Sequence, residues 1–185
     1  MTHALTDEQG QELVRLARAA IASELGAHTD WPGGDDALHH PGATFVTLEI
    51  DGALRGCIGT LSAYRSIRDD VIENALAAAF NDPRFAPLRA AELERVTVSV
   101  SLLTTPVAIE YGGTEAGAIA ALRPGIDGVI LRSGRHRATY LPQVWQQLPE
   151  PAQFLRSLKR KARLDEHFWS PNIELQRYEV REWSE

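Results

Sequence analysis

Cysteine is nearly absent from this chain. Cys57 stands alone among 185 residues, which excludes an intramolecular disulfide framework and suggests a reducing compartment. Long apolar runs are missing too, and none approaches the ~20 residues that a membrane span requires. Asp7, Glu8, Arg15 and Arg18 interrupt the first apolar stretch, so it does not read as a signal peptide. The expected location is cytoplasmic. There is no basic excess: a net charge of −6 argues against a dedicated nucleic-acid binder. No Gly-x-Gly-x-x-Gly or Gly-Lys-Ser/Thr follows a strand pattern, so this is not a phosphate loop. His39 and His40 are adjacent but have no partner at a metal-ligand spacing, and read as a solvated pair in a polar loop over 27–42. No metal site is expected, and no cofactor is identified.

What is present describes a soluble globular protein, 44% hydrophobic and 24% charged, long enough for one compact domain over residues 1–185, with room for two lobes. Charge is unevenly spread. Residues 1–92 hold 7 basic and 14 acidic side chains, whereas eight basic residues between Arg132 and Arg163 face the single acid Glu150. Thr6 and Gln9 fit a capping box for a helix over about 7–25, with Leu13, Leu16, Ala17, Ala20 and Ile21 on one stripe. Ser66 starts a second helix that runs to Phe80, Ile67, Val71, Ala75 and Ala78 facing inward, and Pro83 prevents its continuation. A short helix near 90–93 and an alternating strand over 96–102 follow. Beyond them come a helix over 114–122, a hairpin across Gly134-Arg135-His136, a turn of helix after Pro142 and a helix over 151–162. The last shows Arg156, Lys159, Arg160 and Lys161 as an outer basic face. A final strand over 174–183 closes an α+β fold, its sheet mostly antiparallel and flanked by helices.

The stretch that organises the rest is Leu54-Arg55-Gly56-Cys57-Ile58-Gly59, the return strand of a hairpin whose turn contains Asp51-Gly52. A two-residue turn pairs Ile50 with Ala53 and puts Arg55 and Cys57 on the face of Val46 and Leu48. A three-residue turn pairs Ile50 with Leu54, makes Val46, Leu48, Ile50, Leu54, Gly56 and Ile58 one apolar face, and sets Glu49 opposite Arg55 and Thr47 opposite Cys57. The second register avoids burying an arginine without a partner and is the one expected.

Gly42–Leu48 with Leu54–Gly59 resembles the signature of the AMMECR domain family. Ala77–Leu88, containing Asn81-Asp82-Pro83-Arg84-Phe85, is similar to that family's second block, and Arg137–Trp145 to its third. The likeness continues through Phe154-Leu155 and Lys161-Ala162 to Trp169, so it spans about residues 8–183. It implies a single α+β domain with a larger and a smaller lobe, a functional surface at the hexapeptide, and no assigned chemistry. Bacterial and archaeal members are often called AmmeMemoRadiSam system protein A, which implies Memo-like and radical SAM partners. Where the family usually has glycine after Lys-Ala, this chain carries Arg163.

The resemblance and the residue chemistry together nominate Glu49, Arg55, Gly56, Cys57, Gly59, Asp82 and Arg84 as a ligand- or partner-binding cleft, with Cys57 as a candidate nucleophile. Each has a plainer alternative. A nucleophilic thiol needs a cation and usually a base, and Arg55 offers the first, whereas a free cysteine often serves as a small buried hydrophobe. Gly56 and Gly59 admit either a ligand or a tightly packed helix. Asp82 and Arg84 brace a loop, or Arg84 joins Arg55 in holding a carboxylate or phosphate. Three functions remain open: a binding component of a Memo-like and radical SAM system, a Cys57-dependent enzyme on a small anionic substrate, and a pure protein-interaction module.

Overall fold

The computed structural model describes residues 5–32 and 34–185. In chain order the elements are α1 (Asp7–Glu24), β1 (Pro41–Ile50), β2 (Ala53–Gly59), β3 (Arg65–Ser66), α2 (Ile67–Phe80) and β4 (Val96–Leu103). There follow β5 (Val107–Ala108), α3 (Glu115–Ala121), β6 (Gly128–Ser133), β7 (His136–Tyr140), α4 (Pro151–Lys161), β8 (Glu174–Tyr178) and β9 (Val180–Ser184). The fold is α+β. One sheet has the order β2-β1-β4-β9 with β3 also paired to β1, and the other runs β5-β8-β6-β7. The β1 pairings with β2, β3 and β4 are antiparallel, as are β5–β8, β6–β7 and β6–β8. The chain forms two compact units, one reaching Leu103 and taking up Arg181–Glu185, the other Thr104–Val180. Among the described residues no helix is long and apolar enough to cross a membrane.

In the first unit the Thr6 hydroxyl accepts from Gln9 N, and Thr6 N donates to the Gln9 side chain, so the capping box forms. The helix ends at Gly26, whose φ of 86° suits the left-handed cap that glycine tolerates best. Leu13, Leu16, Ala17, Ala20 and Ile21 are buried, and Val46, Leu48, Val71, Ala75, Val98 and Val100 complete the core. In the second unit Phe154, Leu155 and Leu158 of α4 are fully buried with Val129, Leu131 and Leu175. Trp145 stacks on Phe154 at 3.8 Å.

Four local expectations change. The final strand is two: Glu179 interrupts it, so β8 joins one sheet and β9 the other. The second hairpin turns in two residues, with Ser133 opposite His136. The loop before β1 contains a short 3₁₀ turn, Asp36–His39, capped by the Asp35 carboxylate, and β1 itself starts at Pro41. His39 and His40 are exposed there. Lys159 is not on an outer face. It is fully buried, with Nζ 2.6 Å from Glu115 Oε1 and 3.1 Å from the Phe168 carbonyl, because it follows Leu158 and sits four residues after Leu155, on the flank of the apolar stripe.

Candidate functional site

The β1–β2 hairpin carries the signature strand, and its register departs from the expected one. Asp51 (φ 53°) and Gly52 (φ 77°) form a two-residue turn of the kind that matches strand twist, so Ile50 pairs with Ala53 and Glu49 with Leu54. The preferred three-residue turn is therefore wrong. A bulge next to Leu48/Glu49 then inserts Arg55 as an extra residue, and beyond it Leu48 faces Gly56, Thr47 faces Cys57 and Val46 faces Ile58. The apolar pattern drives this correction. Without the bulge, Arg55 and Cys57 would lie on the buried face of Val46 and Leu48. With it, Gly56 takes that face, Cys57 joins Thr47, and Leu54 turns outward to 42% exposure.

Glu49 is thus not the partner of Arg55. Glu92, 37 residues away in sequence, grips Arg55 from the side, with Nε 3.0 Å from Oε1 and Nη2 3.2 Å from Oε2. Arg55 and Arg89 beside it hold the Glu92 carboxyl below the usual carboxylate range, Arg55 through its hydrogen bond and Arg89 first through its backbone N–H. Arg55 Nη1 is buried and has no acceptor among the described residues. Sequence reading missed Glu92; its position three residues after Arg89, in capping-box spacing, was the available signal.

Asp82 and Arg84 reach the same strand from the loop after α2. Asp82 Oδ2 accepts from Cys57 N at 2.9 Å and from Arg84 Nη2 at 2.7 Å. Its Oδ1 accepts from the backbone N and Nε of Arg84 at 3.1 and 3.0 Å. Arg84 Nη2 also donates to the Cys57 carbonyl at 3.2 Å. Two side chains therefore occupy the outward backbone groups of Cys57, where β2 is the edge of its sheet, and protect an edge that would otherwise be open to pairing. Arg84, aided by Cys57 N–H, holds the Asp82 carboxyl far below the usual carboxylate range. The guanidinium carbons of Arg55 and Arg84 lie 6.0 and 5.5 Å from the Phe85 ring centroid.

The glycines have a packing explanation. A Cβ on Gly56 would stand 2.1 Å from the Ala78 carbonyl oxygen of α2, and one on Gly59 would meet the Phe45 ring at 2.2 Å. Gly56 lets α2 lie directly on the strand. Cys57 is half-buried, and its Sγ lies 3.4 Å from the Thr47 hydroxyl, a contact that supplies no base. Among the described residues no group of three or more His, Cys, Asp and Glu is placed to hold a metal.

A buried polar cluster that sequence reading missed anchors the far end of the hexapeptide. Asp70 is fully buried. Its Oδ2 accepts from Thr44 N, the Thr44 hydroxyl and Asn74 Nδ2, and its Oδ1 from the Thr60 hydroxyl and Arg65 Nε, at 2.7–3.0 Å. The signal was Asp70 and Asn74 at i, i+4 on α2, a polar interruption beside the inward stripe.

A family model described as AMMECR1 matches residues 14–183. A protein of Methanothermobacter thermautotrophicus is 35% identical, with 96% of this chain and 94% of that one aligned. One of Methanopyrus kandleri is 34% identical over 100% of this chain and 92% of its own. The crystal structure of an uncharacterised protein from Pyrococcus horikoshii, PH0010, superposes with a TM-score of 0.80 at 30% identity, covering 98% of this chain and 93% of that chain.

Proposed function

The chain belongs to the AMMECR1 family, and from that premise we propose that it is a cytoplasmic binding component of a system containing Memo-like and radical SAM proteins. Its recognition surface is the hexapeptide strand together with Asp82, Arg84 and Phe85. One observation carries this reading: Asp82 and Arg84 bind the main chain of Cys57 from a loop 25 residues further on. That clamp joins the signature strand and the second block into one pre-organised surface, which lowers the ordering cost of binding. The outward turn of Leu54 and the 53% exposure of the Arg84 side chain supply one apolar and one charged contact from the two motif blocks. A Cys57-dependent enzyme draws less support, since the sulfur meets a hydroxyl rather than a base.

Capture tests the proposal. The immobilised protein is offered the Memo-like and radical SAM proteins of its own organism, in wild-type form and as Leu54→Asp. The expected result is capture by wild type and a loss of roughly tenfold or more in affinity for the variant, with its melting temperature unchanged. Equal capture by both forms, or none by wild type, overturns it.

A further inference from the structure

The guanidinium of Arg55 is only half used. Glu92 takes Nε and Nη2, which leaves Nη1 without an acceptor among the described residues although that atom is buried. Buried side-chain donors almost always have an acceptor, so an exception calls for a physical reason. The side-on grip of Glu92 leaves the end-on edge of the guanidinium facing another direction, and that edge presents the donor spacing that suits a carboxylate.

The surrounding charge is set for an anion. Arg89 Nε lies 3.7 Å from Glu92 Oε2, so Arg55 and Arg89 share one carboxylate, while Arg84 is neutralised by Asp82. Three guanidiniums thus stand with two carboxylates, leaving one positive charge in excess. The side chains of Arg84 and Arg89 are 53% and 84% exposed, so the group meets solvent through them, and Phe85 provides the apolar wall beside Arg55 and Arg84. One surplus charge matches a monoanion. A phosphate dianion would leave a second negative charge to be desolvated without compensation.

We propose that Arg55, through Nη1 and the end of its guanidinium, together with Arg84 and Arg89, binds a carboxylate group of the ligand or partner. This rests on the reading of the hexapeptide region as a binding surface and names the chemistry that the surface selects. The carboxylate comes from a small organic acid or from the C-terminus of a peptide, both of which present the same two oxygens.

The test uses the full chain with 15N-labelled arginine, following the Arg55 Nε–H resonance by NMR. It is titrated with acetate, with succinate, with inorganic phosphate, and with a tripeptide carrying either a free or an amidated C-terminus. A saturable shift of Arg55 in the millimolar range is expected from at least one carboxylate, with phosphate weaker. Saturation by acetate or succinate identifies a small acid as sufficient; saturation by the free-terminus peptide alone identifies a chain end. Arg55→Lys should abolish saturation of the overall binding signal, and Arg84→Gln, which keeps Arg55 and Glu92 intact, should weaken binding by roughly tenfold. No saturable shift with any carboxylate, tighter binding of phosphate, equal binding of the amidated peptide, or unchanged affinity in a folded Arg84→Gln would each overturn the inference. Partner capture by the wild-type protein separates the two readings, because capture that survives without carboxylate binding removes only this one.

Discussion

Asp82 receives four hydrogen bonds on two oxygens, from Cys57 N and three nitrogens of Arg84. These favour its charged form, so the folded pKa lies below the ordinary aspartate value. A carboxyl depressed by folding adds stability above its unfolded pKa of about 4, and that contribution is lost as pH falls towards the folded value. Urea midpoints measured from neutral pH down to about pH 2 should therefore decline, and Asp82→Asn should flatten the decline while lowering the plateau. An acid limb of unchanged steepness in the variant would contradict this account. Asp82 and Arg84 were legible in sequence as a loop-bracing pair. That they brace the loop against Cys57 was not, because a motif names side chains and not the backbone groups they will meet. Lys159 shows the converse. Its charge placed it on the outer face, yet Glu115, 44 residues away, compensates its burial.

At the scale of elements, the β1–β2 hairpin reconciles two local demands. Asp51-Gly52 favours a two-residue turn, and the apolar alternation requires Gly56 rather than Arg55 to face the core. A three-residue turn would meet only the second; the chain meets both by bulging at Arg55. The outcome for Thr47 and Cys57 is the same, while Glu49, Leu54 and Arg55 change places. Helix α4 ends in a comparable compromise. Arg163 occupies the left-handed region at φ 62°, donating to the Arg160 carbonyl, while Leu164 N reaches the Lys159 carbonyl. The cap forms despite the residue that the resemblance made questionable there. A side chain in that region costs about 1–2 kcal/mol, partly offset because glycine loses more entropy on folding. Arg163→Gly should therefore stabilise the protein by about 0.5–1 kcal/mol, read as a higher urea midpoint at constant slope. A lower midpoint would mean that Arg163 makes contributions that outweigh its backbone strain.

For the whole molecule, the last residues return to complete the first unit. Trp183 is 6% exposed, its ring lying where a Cβ on Gly10 would stand, and its Nε1 is 3.2 Å from Asp7 Oδ1. Glu185 accepts from Val98 N at 3.0 Å and pairs with Arg18. Trp183→Ala should cost about 3–5 kcal/mol. Hydrogen exchange should quicken first in α1 and β4, before the core amides of α4; equal acceleration in both units would show that Trp183 acts on more than its own core.

Caps, turn residues and apolar periods follow from neighbours a few positions apart, which is why α1, α2, α4, β4 and the α+β class were determined by the sequence itself. Arg55, Cys57, Asp82 and Arg84 were singled out by the family resemblance together with their side-chain chemistry. Tertiary structure alone decided what each of them meets: Glu92 for Arg55, the Cys57 backbone for Asp82 and Arg84, and Ala78 for Gly56. It also decided that the strand after Glu179 leaves one sheet for the other. Those outcomes depend on which distant segments can share the space around one buried face, and on whether a buried charge finds a partner there. Within Leu54–Gly59 the rule is plain. Apolar alternation determined which residues could face the core, and the helix packed on Gly56 decided which one did.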